Sequence, residues 1–249
     1  VDKQQMTFNG VEMTAALRDK GFRFSVESIE GRGPMENIVS SRPVPGADGE
    51  LFLNKSLPAR HISVAYNLIA ADAAGLRKAE RELSRILQVD QPKQLRFQDQ
   101  AGYFEAIHTE ISVTYEMRGN QKGVIDFFCP KPFFLHSYIE YKEYVFTANE
   151  TRNFDILTNY KVLPVMVFTI PGAISSLTIT TNGSALKYTG AIPAGAKVSI
   201  DSEKKELRIN NVLKVIEVDG WFPVMVAGVN TVKSSNSATL TLKYQERYV

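Results

Sequence analysis

Cysteine is almost absent from this sequence: Cys129 stands alone in 249 residues. That excludes an intrachain disulfide and any multi-cysteine metal site, and it suits a chain that folds in a reducing compartment. Histidine is nearly as scarce. His61, His108 and His136 are isolated, with no second His or carboxylate at helix-face spacing, so no zinc site can be read from the sequence. Neither charge sign is in excess, with 29 basic against 27 acidic residues scattered along the chain and a formal net charge of +2. That balance leaves no electrostatic footprint for nucleic acid or anionic lipid. Long hydrophobic runs are missing too: the longest, Val162 to Ile174, is too short to span a membrane and is cut by Pro164 and Pro171. The opening Val1-Asp2-Lys3-Gln4-Gln5 lacks the basic start and apolar stretch of a cleaved signal, so the expectation is a soluble protein made in the cytoplasm.

What is present is ample core material, 44% hydrophobic and 10% aromatic residues, in the period-two alternation of half-buried strands. Phe22-Arg-Phe24-Ser-Val26-Glu-Ser28-Ile29 and Ile62-Ser-Val64-Ala-Tyr66-Asn-Leu68 are clear cases, and Phe8-Asn9-Gly10-Val11 carries an Asn-Gly hairpin turn. Residues 31–50 hold Gly31, Gly33, Pro34, Pro43, Pro45, Gly46 and Gly49, and read as a long loop with at most a short strand near Glu36 to Val44. One segment changes period. Leu76, Ala79, Leu83, Ile86 and Leu87 share a face at helical spacing, predicting a single helix from Ala73 to Leu87, capped by Asp72 and stopped before Pro92.

Strand signals resume at Leu95-Arg-Phe97, turn through Asp99 to Gly102, and continue at Tyr103 to Ile107, Ile111 to Tyr115 and Val124 to Phe128. Cys129-Pro130-Lys131-Pro132 breaks the pattern, and a domain boundary is expected near residues 134–142. Beyond it come short, evenly spaced strands: Val165 to Ile170, Leu177 to Thr181, Ala185 to Tyr188, Val198 to Asp201, Leu207 to Ile209, Val212 to Val218, Phe222 to Val226 and Ala238 to Tyr244. Asn182-Gly183 and Asp219-Gly220 supply hairpin turns between them, which together is a sandwich signature. The fold class is therefore mainly β, with an α+β N-terminal domain over residues 1–137 and a C-terminal β-sandwich over residues 138–249.

Candidates for chemistry are few. Cys129, between Phe128 and Pro130, reads as a buried, inert thiol. Gly31-Arg32-Gly33-Pro34 lacks the Gly-Lys-Ser/Thr ending and the following helix of a phosphate loop, and Asp48-Gly49-Glu50 and Asp99 lack the alternating acids of a calcium loop. Trp221, after Asp219-Gly220, is expected to pack under a hairpin rather than to stack on a sugar. No catalytic residue, cofactor or metal is assigned.

Taken in order, these landmarks resemble the distal tail protein family of long, non-contractile-tailed bacteriophages, over nearly the whole chain. In the first half the resemblance rests on Phe8-Asn9-Gly10, Pro45-Gly46-Ala47-Asp48-Gly49-Glu50-Leu51, the helix, Leu95-x-Phe97 with Asp99 before Tyr103-Phe104-x-Ala106, and Phe127-Phe128-Cys129-Pro130-x-Pro132-Phe133. In the second half it rests on Pro164-Val165, Ser199-Ile200-Asp201 followed by Leu207 to Asn210, Gly228-Val229-Asn230, and Ala238 to Tyr244 with Arg247-Tyr248. Ala47 departs from the family's basic residue, and Val226-Ala227 from its Leu-Pro.

The resemblance implies a non-enzymatic structural virion protein at the distal end of the tail. It implies a homohexameric ring or stacked rings built from the N-terminal domains, with galectin-like sandwiches outside. Its expected partners are the tail tube protein, a tail-tip or tail-associated lysin protein and, in some relatives, receptor-binding proteins. The long loop is the candidate ring contact, with Arg32, Met35, Arg42, Asp48 and Glu50 as its candidate interface residues, together with open strand edges. The rival reading is a carbohydrate-binding module recognising host cell-wall polysaccharide.

Overall fold

The computed structural model describes the backbone of residues 4–249 and the side chains of these residues apart from 137 and 139–142. Val1, Asp2 and Lys3 of the opening segment lie outside the described residues. The chain divides into one compact unit up to Phe134 and a second from Leu135 to Tyr248. No described helix is long and apolar enough to cross a membrane.

In the first unit the strands are β1 (Met6–Phe8), β2 (Val11–Glu12), β3 (Arg23–Glu30), β4 (Ile38–Pro43), β5 (Glu50–Ser56), β6 (Arg60–Ile69), β7 (Lys93–Phe97), β8 (Phe104–Met117) and β9 (Asn120–Cys129). Seven of them form one sheet in the order β2-β1-β7-β8-β9-β6-β3, while β4 and β5 pair only with each other. Alternation in the sequence becomes alternation in burial: Ile62, Val64, Tyr66 and Leu68 of β6 are fully buried beside Ile125 and Phe127 of β9. Helix α2 (Ala73–Leu87) occupies the predicted residues and buries the predicted face, Leu76, Ala79, Leu83, Ile86 and Leu87, with the Asp72 carboxylate accepting from Gly75 N–H at 2.6 Å. The Asn9-Gly10 turn also forms where expected, with both residues at positive φ, 50° and 77°.

One expectation for this unit is corrected. The helix at 73–87 is not alone, because Met13–Arg18 forms a short α1. Glu12 caps it by accepting from the N–H groups of Thr14 and Ala15, and Met13 and Leu17 are buried. Six residues are too few to show a 3.6-residue period, so only the cap and the core could select this helix. Residues 31–50 are mainly loop with one short strand, β4, inside the expected Glu36 to Val44 stretch, but the pairing of that strand was not foreseen. They contain β4, pair it with β5 through Ser56, and form an antiparallel hairpin whose register shifts between Ser40 and Ser41.

In the second unit the strands are β10 (Phe134–Phe146), β11 (Thr151–Ile156), β12 (Val165–Thr169), β13 (Ile174–Thr181), β14 (Ser184–Ile192), β15 (Lys197–Asp201), β16 (Glu206–Ile209), β17 (Val212–Lys214), β18 (Val218–Gly220), β19 (Gly228–Ser234) and β20 (Ala238–Tyr248). They make a six-stranded sheet, β10-β20-β12-β15-β16-β17, and a five-stranded sheet, β11-β19-β13-β14-β18. Inward residues of both sheets share one core, including Phe168, Ile200, Leu240 and Tyr244 from the first and Phe154, Leu177, Ile179 and Val232 from the second. This is a β-sandwich. The stretch 134–142, where a domain boundary was expected, forms the first part of strand β10; the side chains of 137 and 139–142 in it lie outside the described ones.

Three details differ from the sequence reading. Val212 to Val218 is two strands, β17 on one sheet and β18 on the other. Phe222 to Val226 is not a strand; Met225 makes an isolated bridge to Val162, and Pro223 has no donor to extend it. Asp219-Gly220 is no hairpin turn, since both residues lie within β18, with Gly220 at φ 100° where a Cβ would come 2.2 Å from the Ala185 carbonyl oxygen. The strand therefore runs straight into Trp221, whose N–H donates to Ala185 O, and the indole is 76% exposed rather than packed beneath a turn.

Candidate assembly interface

The β4–β5 hairpin is an arm with no core of its own. Every residue of both strands is exposed. Its large apolar side chains include Val39, Leu51, Phe52 and Leu53 at 58%, 56%, 61% and 55% exposure. An isolated two-stranded hairpin is marginally stable in water, and apolar side chains on both of its faces have nothing to bury against within the arm. The tip turns through Gly46 and Gly49, both at positive φ, with Ala47 N–H donating to Val44 O. Near it the Ser41 hydroxyl donates to Glu50.

The root of the arm is held firmly. Gly31 leaves β3 at φ 84° directly over β6, where a Cβ would stand 1.9 Å from the His61 carbonyl oxygen. Arg32 reaches the Asp99 carboxylate with both contacts under 3 Å and lies 4.8 Å over the Phe97 ring. On the returning side Arg60, 3% exposed, donates to the carbonyls of Gly31 at 2.6 Å, Gly33 at 2.8 Å and Pro132 at 2.8 Å, and its guanidinium sits 5.4 Å from the Phe104 centroid. Desolvation by burial pulls its pKa down from the usual guanidinium value, while Nε and Nη1 donate to these carbonyls.

The five residues named from sequence therefore separate into two groups. Arg32 and the half-buried Met35 belong to the root, and Arg32 is committed to Asp99 with only 17% of its side chain exposed. Arg42, Asp48 and Glu50 lie on the distal half of the arm, with Arg42 opposite Leu51 in register. The sequence reading missed the apolar residues. Leu51-Phe52-Leu53 was a visible signal, but three consecutive apolar residues ordinarily mean core, and only the pairing shows that they face outward on an arm.

The seven-stranded sheet offers two further open surfaces. Strand β3 is its outermost member on one side. Strand β8 pairs with β7 only over Phe104 to Ala106, so its long remainder to Met117 is bonded to β9 alone. That remainder exposes Val113, Tyr115 and Met117.

Among the described residues no group of three His, Cys, Asp or Glu side chains is placed to hold a metal ion. His61 is exposed against the edge of Phe128, burial pushes the His108 pKa down, and His136 Nδ1 lies 3.7 Å from Glu246. Burial pushes the Cys129 thiol up to about 12, with Arg60 opposing weakly. Because the folded value lies above the unfolded one near 9, this thiol's contribution to stability is complete below about pH 9 and is lost as pH rises toward 12. A disulfide reagent at pH 8 is expected to leave Cys129 unlabelled in the native protein and to label it on urea unfolding; fast native labelling would contradict the burial.

Comparison with known proteins follows the two units. Residues 19–129 match the phage tail protein RIFT-related domain, and residues 157–248 match the C-terminal domain of the siphovirus-type tail component. Among solved structures the chain is similar to the SPP1 Dit protein, described as a paradigm of the hub adsorption apparatus in phages infecting Gram-positive bacteria. The two share 14% identity at a TM-score of 0.79, with 100% of each chain covered. It is also similar to a chain of the phage P2 baseplate in its calcium-activated conformation, at 9% identity and a TM-score of 0.50, covering 99% of this chain and 98% of that one. No curated protein matches the sequence.

Proposed function

The chain belongs to the siphovirus distal tail protein family and is a structural component of a phage tail, and from that premise we propose that six copies close into a ring at the distal end of the tail. In this reading the ring joins the tail tube to the tail-tip apparatus, with tail tube protein, tail-tip or tail-associated lysin protein and receptor-binding protein as the partners.

The observation that carries the proposal is the arm. A hairpin that displays Val39, Leu51, Phe52 and Leu53 to water gains by burying them, at roughly 1.5–3 kcal/mol for each large apolar side chain fully removed from water. The arm and the open β3 and β8 edges are unlike surfaces, so the natural contact is arm of one copy on sheet of the next. Such a heterologous contact closes into a ring when its rotation divides a full turn. Arg60 and Arg32 fix the direction in which the arm leaves the unit, which is what a closing rotation requires.

Negative-stain microscopy with native mass spectrometry of the purified protein tests this. Six-fold rings are expected, and replacing residues 38–56 with a short Gly-Ser linker is expected to abolish them while the β-rich circular dichroism spectrum persists. Rings that survive the replacement would sink the role of the arm, and single subunits at all concentrations would sink closure by this chain alone. A milder variant, Phe52→Ser, is expected to weaken ring formation about tenfold or more, since a Phe buried in a partner contributes on the order of 2 kcal/mol.

A further inference from the structure

The first unit has a cavity of about 260 Å³ at the outer edge of its sheet, where α1 meets β3. Phe22, Phe24 and Ile69 supply apolar wall, and Thr14 and Ser25 supply hydroxyl-bearing wall. Arg18 and Arg23 complete the lining, both exposed. Neither guanidinium is firmly committed. Arg18 lies 3.9 Å from Asp19, with the two side chains 72% and 73% exposed, a contact that contributes little in water. The Arg23 side chain has no ion pair among the described residues. The site is therefore an apolar hollow with two available cations at its rim.

The arm carries the complement of that hollow on one of its faces. Side chains two apart on a strand point the same way, so Glu50 and Phe52 of β5 project together, roughly 7 Å apart. They lie opposite Pro43 and Ser41 in the register. Arg42 lies opposite Leu51 on the reverse face, so the Glu50–Phe52 face has an acid and no base. Asp48 in the tip adds a second carboxylate. Glu50 accepts from the Ser41 hydroxyl, which leaves its carboxylate further acceptor capacity. On the open remainder of β8 the charged side chains are again acids, Glu110 and Glu116, the latter paired with Arg77. Charge thus sorts the two open edges: β3 attracts the Glu50–Phe52 face and β8 repels it.

We propose that the arm of one copy seats Phe52 in the β3 cavity of the next, with Glu50 paired to Arg23 and Arg18 at its rim. This rests on ring closure by the arm and names the surface that receives it. A hollow of about 260 Å³ suits one aromatic side chain and falls short of the roughly 300–1,000 Å³ of a small-molecule site. Phe52 in an apolar well supplies the affinity, as a buried aromatic anchor does at other interfaces. The carboxylate and the two guanidinium groups fix the register, and register sets the rotation between neighbours on which closure depends.

Disulfide cross-linking between two full-length variants tests it. Pro43→Cys, on the Glu50–Phe52 face of the arm, is mixed under mild oxidation with Thr14→Cys, in the cavity wall, or with Val113→Cys, on the β8 edge. Cys129 is buried and stays out of the exchange. The mixed disulfide with Thr14→Cys is expected to form at least about fivefold faster than that with Val113→Cys. Adding Glu50→Arg to the first chain, or Arg23→Glu to the second, is expected to slow it about fivefold, and both together to restore it within about threefold. Both positions are exposed, so these variants should unfold at the parent's urea midpoint. The proposal is overturned if Val113→Cys cross-links as fast as Thr14→Cys, or if the double reversal is no faster than the single ones. Microscopy of the parent separates the two failures. Six-fold rings without the Thr14 cross-link would sink the choice of surface alone, whereas no rings and no cross-link at either position would sink closure by the arm as well.

Discussion

Asn230→Asp is expected to destabilise the second unit by about 3–5 kcal/mol at neutral pH, read as a shift of its urea midpoint. Asn230 is fully buried and uses every polar atom of its amide. Its Oδ1 accepts from Val226 N–H and from Asn182 Nδ2, each at 2.8 Å, and its Nδ2 donates to the carbonyls of Val226 and Gly228, also at 2.8 Å. Asn182, in the β13–β14 turn at φ 51°, accepts from Thr231 N–H and donates to Val224 O. The pair ties the irregular stretch before β19 to the hairpin turn, where no ladder hydrogen bonds are available. Aspartate keeps the shape but turns two donations into a carboxylate oxygen facing two carbonyl oxygens. Its carboxyl would titrate above the unfolded value of about 3.9. The sign follows: the defect is smallest below about pH 4, where both states are protonated, and stability falls as pH rises through the raised folded pKa. A defect independent of pH would show that something other than the buried charge causes it.

The second large effect is expected at the root of the arm. Arg60→Met keeps much of the apolar stem yet removes three charge-assisted hydrogen bonds, leaving the Pro132 carbonyl without its donor and the two glycine carbonyls to water. A loss of about 3 kcal/mol from the first unit is expected, since bonds to a charged donor contribute on the order of 1.5–3 kcal/mol each and do not add fully. The same substitution frees the arm's direction. Limited proteolysis should cut between Gly33 and Ala59 several-fold faster than in the parent, and ring formation should weaken even where the unit remains folded. Gly31→Ala tests the other side of the root: the added Cβ meets the His61 carbonyl oxygen at 1.9 Å and the backbone sits at φ 84°, so a loss as large as that of Arg60→Met is expected. Unchanged stability in both variants would mean that the root is not clamped.

Periodicity carried the parts of the fold that repeat. Fifteen residues were enough for α2 to display one apolar face, and β6 and β9 showed their alternation because each has one buried side. The Asn9-Gly10 and Asn182-Gly183 turns were legible because few other residues tolerate those backbone angles. The order of such landmarks along both halves also sufficed to indicate the tail protein family. Short elements were not legible: α1 owes its existence to the Glu12 cap and to Met13 and Leu17 reaching the core, which no six-residue window reveals.

The interface residues divide along the same line. Glycine and proline marked residues 31–50 as a special segment, but composition does not say whether an apolar side chain such as Phe52 faces a core or water; pairing of β4 with β5 alone decides that. Trp221 makes the same point in reverse, since Gly220 serves a close backbone approach rather than a turn and so delivers the indole to solvent. Arg60 clamping Gly31, Gly33 and Pro132, and Asn230 bound to Asn182, join positions remote in the chain. The sequence by itself determined the strands that repeat, the main helix and the family. Tertiary structure alone decided which apolar residues are left exposed and which polar residues are buried, because burial depends on partners that local pattern does not encode.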